Sequence, residues 1–102
     1  MFRLIHEIVQ LGGKIADGYV IGLGSVNLVN VVTDRGMVGC GAYDVSALDR
    51  HGYPAAKAKA VGKSSISTVS DLLEGQIVEV NSAAERLGVE VGMSGRQALD
   101  RL

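Results

Sequence analysis

A chain of 102 residues, 47% hydrophobic and 21% charged, has length for one core and too much apolar content for disorder. Ten basic and eleven acidic residues leave a net charge of −1, so there is no cationic excess to neutralise nucleic-acid phosphates. The single cysteine excludes an intramolecular disulfide and a cysteine-based zinc cage.

Residues 1–41 read as a β-rich region. The first strand is predicted over 3–11 and ends at Gly12-Gly13, a two-residue hairpin signal. The second covers 14–23, and Gly24-Ser25 breaks it. The third covers 26–33. Asp34-Arg35-Gly36 is a turn, with the glycine expected to supply a positive φ. The fourth covers 37–41. In "VNLVNVVT", Val26, Leu28 and Val32 lie on one face and Val29 and Val31 on the other. A sheet with one wet face alternates apolar and polar residues; this one does not. With few helices to cover a second face, another subunit is the expected cover.

Residues 42–102 read as a mixed region. Asp44 caps a predicted helix running to about Arg50, with Gly52 at its C′ position and Pro54 beyond it. "AAKAKAVGK" alternates Ala or Val with Lys and predicts a strand, with Lys57, Lys59 and Lys63 as its solvated face. "QIVEV" predicts the last strand. Thr68-Val69-Ser70-Asp71, Ser82-Ala83-Ala84-Glu85 and Ser94-Gly95-Arg96-Gln97 each match a capping box and open three further helices. The whole is a single α+β domain: an N-terminal antiparallel meander of about four strands, then short helices alternating with two further strands.

"GMVGCGAYDV", "AVGKSSISTVSDLLEG" and "AAERLGVEVGMSGRQAL" resemble the YunC-like proteins, a family of unknown function in bacteria and archaea. The resemblance spans roughly Val26 to Leu102. It implies an α+β domain whose N-terminal β region mediates tetramer formation, and it implies no established activity. Two positions depart from the family pattern: Gly39 stands before Cys40 where a larger apolar residue is expected, and Gln97 stands in place of Glu.

Cys40 sits at a strand end, four residues before the cap Asp44, where a helix N-terminus would favour the thiolate. Gly39 and Gly41 would let a substrate approach the backbone. This makes Cys40 the candidate catalytic residue of a thiol-dependent enzyme or redox protein. Burial statistics favour the plainer role of a small buried hydrophobe. A catalytic thiol also needs a base, and the chain has two histidines: His51, about a helix length from Cys40, and His6 on the first strand, which could reach it only through the fold or across subunits. Ser94, Gly95 and Arg96 offer amides, a hydroxyl and a guanidinium for a small anion, although a helix cap explains them as well.

Gly39, Gly41, Asp44, Ser94, Gly95 and Arg96 are therefore the candidate binding residues, for a small anionic ligand. No His, Asp or Glu pair has metal-ligand spacing, and neither metal nor cofactor is expected. Gly22-Leu23-Gly24-Ser25 runs into a strand where a phosphate loop needs a helix, and reads as a bend. No secretory signal or bilayer-length apolar run is visible. The favoured reading is a cytoplasmic, homo-oligomeric binding or assembly module, a tetramer joined through its N-terminal strands, with no nucleic-acid or membrane partner.

Overall fold

Short polar turns join the first four strands so that each folds back on the one before. The computed structural model describes residues 3–102; Met1 and Phe2, at the head of the β-rich region, lie outside the described residues. The strands are β1 (Arg3–Gln10), β2 (Ile15–Gly22), β3 (Asn27–Val32), β4 (Met37–Gly39), β5 (Ala55–Lys59) and β6 (Gln76–Val80). They form one sheet in that order. β1 to β4 are an antiparallel meander, as the sequence predicts. β5 pairs parallel to β4, and β6 returns antiparallel to β5.

At the first hairpin the Leu11 amide donates to the Lys14 carbonyl at 2.8 Å, so Gly12 and Gly13 form the loop. The Gly24 break is a hairpin turn, with φ of +99° and the Leu23 amide bonded to the Val26 carbonyl at 2.9 Å. The third turn corrects an expectation. Gly36 does not have a positive φ. A Cβ there would lie 2.4 Å from the Pro54 carbonyl oxygen, so glycine is needed for close packing.

The helices are α1 (Val45–Asp49), α2 (Val69–Leu73), α3 (Ser82–Glu85) and α4 (Gly95–Arg101). α1 closes as predicted. Gly52 has φ of +69°, its amide donates to the Asp49 carbonyl and the Tyr53 amide to the Leu48 carbonyl, which is a Schellman motif. Capping boxes open α2 at Thr68 and α4 at Ser94. The third predicted box fails. Asn81, not Ser82, caps α3, and it does more than cap. It is buried, with its Oδ1 accepting from the Ala55 and Ala84 amides and its Nδ2 donating to the Val45 and Tyr53 carbonyls. Every hydrogen-bonding position of that side chain is used, which fastens α1, β5 and α3 together. β5 also ends sooner than the lysine alternation suggests. The chain turns after Lys59, and Lys63 leaves the strand to meet Asp71.

Side chains alternate across the sheet. On one face Val9, Ala16, Val20, Val29, Val31 and Val38 pack against Val69 and Leu72 of α2 and Ala98 and Leu99 of α4. Gly95 lets α4 approach α2, since a Cβ there would sit 2.0 Å from the Leu72 carbonyl oxygen. On the other face Met37 and Ala55 are covered by Val45 of α1, with Tyr43 and Tyr53 beside them. This cover reaches only the β4–β5 half. Over β1 and β2 the same face leaves Leu4, Ile8 and Ile15 about 60% exposed. His6 stacks on Tyr19 there and bonds Asp17 at 2.8 Å.

Candidate functional site

Cys40 follows β4, its amide bonded to the Val29 carbonyl at 3.0 Å. The next residues leave the sheet for α1, and Asp44 caps that helix by accepting from the Ala47 amide at 3.0 Å. Gly39 and Gly41, alike in sequence, differ in space. A Cβ on Gly39 would lie 2.5 Å from Cδ2 of the Tyr43 ring, whereas one on Gly41 would meet nothing within 4 Å. The ring of Tyr43 therefore occupies the space of a Gly39 side chain, which accounts for glycine where a larger residue was expected. Burial raises the Tyr43 phenol above its ordinary value, and the nearby Cys40 adds to the rise.

The Cys40 side chain is 6% exposed and belongs to the core. It forms part of the floor of a surface cleft of about 280 Å³, with Ala58 and Ile66. Val26 and Val78 flank the cleft, and Lys59, Ser64 and Ser65 border it. Neither histidine is among its lining residues. His51 lies past the end of α1, and His6 is engaged with Asp17. Geometry thus gives Cys40 a place in a cleft that neither histidine lines.

Ser94, Gly95 and Arg96 lie elsewhere. Arg96 donates to the Gln10 carbonyl at 2.9 Å, at the end of β1. Cys40 lies in line with Val29, Val20 and Ile5, about 16 Å from Gln10 along a strand that rises roughly 3.3 Å per residue. The Ser94 hydroxyl accepts from the Gln97 amide, and the Gly95 amide donates to the Gly75 carbonyl. These groups hold α4 against β6 and the first hairpin, and the structure does not bring them to the Cys40 cleft.

Ser64, Ser65 and Ile66 also line the cleft, and no signal in the sequence assigned them a site role. The alternation of "AAKAKAVGK" marked Lys59 only as a solvated strand residue. Among the described residues no three His, Cys, Asp or Glu side chains cluster as a metal site would require. Among them, too, no helix is long and apolar enough to cross a membrane.

The family model of a domain of unknown function, DUF1805, matches residues 39–102. A Bacillus subtilis protein, "Uncharacterized protein YunC", is 36% identical over 95 residues, covering 89% of each chain. The chain belongs to the DUF1805 family. The matched region runs from Gly39 through α4 and so holds Cys40 and most of the cleft, while β1 to β3 lie before it. A solved structure, a protein of unknown function (TA1206) from Thermoplasma acidophilum, superposes with a TM-score of 0.86 at 22% identity. It covers 99% of this chain and 94% of that one, so the two proteins share the fold along almost the whole of this chain.

Proposed function

We propose that this DUF1805 chain is a homo-oligomeric assembly module, a tetramer, which joins through the open face of β1 to β3 and offers the Cys40 cleft to a small ligand. The uncovered sheet face carries the proposal. Leu4, Ile8 and Ile15 stand on it in water, beside half-buried Ile21 and Leu28. Covering apolar surface releases about 25 cal/mol per Å². Contiguous exposed apolar patches mark interfaces. Among the described residues β1 is also an edge strand of the sheet, a place where a further strand can pair.

A second copy suits this face. In a two-fold contact the same patch meets itself, so its charges must not repel. Here the Asp17 carboxylate is already engaged by the His6 ring at 2.8 Å. The thiol-dependent alternative has neither histidine lining the cleft and is not favoured. In the assembly module Cys40 serves as a core residue that also floors the cleft.

Light scattering tests the reading. The chain is expected to run at a multiple of its own mass at micromolar concentration. Ile8→Glu combined with Ile15→Glu should give monomer with an unchanged circular dichroism spectrum. A monomeric parent protein would overturn the proposal.

A further inference from the structure

We propose that the Cys40 cleft binds a short-chain aliphatic carboxylate, its tail on the cleft floor and its head on Lys59. The inference builds on the cleft as the binding part of the module, but it needs residues of one chain only. The floor is apolar and buried: Cys40, Ala58 and Ile66 are each under 8% exposed. The flanks, Val26 at 54% and Val78 at 41%, are apolar side chains facing water beside that floor. A hydrocarbon tail would cover both.

The charge at the border is specific. Lys57 pairs with Glu79 at 3.3 Å, and Lys63 pairs with Asp71 at 2.8 Å. Lys59 stands between them in sequence and lines the cleft. Among the described residues it has no Asp or Glu oxygen within 4.0 Å. Among the described residues no Asp or Glu lines the cleft to repel an anion. An unpaired ammonium beside an apolar floor fits an amphipathic anion, and the Ser64 and Ser65 hydroxyls add donors for its second oxygen.

The number and size of these features narrow the class. One cation matches a single negative charge better than a phosphate dianion. A cleft of about 280 Å³ lies just below the roughly 300–1,000 Å³ of sites for drug-sized ligands, so a tail of a few carbons fits.

The test is a titration of the intact protein with acetate, butanoate, hexanoate and octanoate, read by amide NMR and calorimetry. Saturable shifts are expected at Cys40, Gly41 and Ile66. Affinity should tighten up to roughly four-fold per added methylene until the tail outgrows the cleft. Lys59→Gln should weaken hexanoate about tenfold, the loss of one charge-assisted bond, with the other amide shifts unchanged. Hexanamide should bind the parent protein as weakly as hexanoate binds that variant.

Equal binding of hexanoate and hexanamide would overturn the proposal, as would tighter binding of inorganic phosphate. So would shifts confined to the open face of β1 to β3. Light scattering on the same samples separates the two readings. A monomer that still binds hexanoate at Lys59 removes only the assembly, and an oligomer that ignores every carboxylate removes only this ligand. If Val26→Asp dissociates the oligomer, the cleft is an interface between copies and the ligand proposal falls.

Discussion

Gly39 and Tyr43 form a pair whose meaning depends on distance alone. The ring of Tyr43 lies where a Gly39 side chain would be, with Cδ2 at 2.5 Å and Cγ at 2.7 Å from a built Cβ. Cγ is fixed close to the backbone and cannot swing aside as a side-chain end could. Gly39→Ala should therefore cost about 1–3 kcal/mol, the range for overpacking a filled site. Tyr43→Ala should cost about as much by removing the ring's packing. The double variant should cost less than the sum of the two, because the alanine methyl then enters vacated space. Urea unfolding of the four proteins checks this, and strict additivity would show that the ring does not occupy the glycine's space. Sequence could place Cys40 at a strand-to-helix corner, since strand, glycines and cap are local signals. It could not say which glycine is filled and which is open, because both look alike until Tyr43 is folded back.

At the scale of elements, helix starts were the most legible feature, because a capping box is written within four residues. The Thr68 box shows how much such a motif carries. Asp71 Oδ2 accepts from the Ser67 and Thr68 amides, and its Oδ1 accepts from Lys63 at 2.8 Å. Lys63, followed by those amide bonds, holds the Asp71 carboxyl well below its ordinary value of 3.8. A depressed carboxyl stabilises the fold above its unfolded pKa and loses that contribution as pH falls toward the folded one. Stability from α2 should thus be full at neutral pH and start to fall once pH drops below about 4. Asp71→Asn should lower stability at pH 7 by about 1 kcal/mol, a typical capping cost, and make the acid limb of the stability curve shallower. Chemical denaturation from pH 7 to pH 2.5 measures both, and an unchanged acid limb would mean that the ion pair is not held in solution. The failed box at Ser82 has the opposite lesson. Asn81 precedes a sequence that looks like a cap, and its four bonds reach Val45, Tyr53, Ala55 and Ala84, three of which are remote in sequence.

For the whole molecule, the apolar content on both faces of the meander was legible as a surplus, and the structure shows where it goes. α2 and α4 cover one face, and α1 covers the far half of the other. The cleft was not legible, since its walls come from segments around Val26, Cys40, Lys59, Ser65 and Val78 that only the fold gathers. The remaining open face makes a thermodynamic prediction independent of any mass measurement. If native chains associate through β1 to β3 and unfolded chains do not, unfolding is coupled to dissociation, and stability depends on concentration. Each association event contributes about 1.4 kcal/mol for every tenfold rise in chain concentration. The urea midpoint should therefore climb steadily from 1 to 100 μM chain, and it should stay flat for the Ile8→Glu, Ile15→Glu protein. That variant should also unfold at lower urea than the parent at every concentration, because it loses the contact while keeping its own core. A parent midpoint independent of concentration would mean that the face stays wet in the native protein, and that Leu4, Ile8 and Ile15 serve a partner other than a second copy.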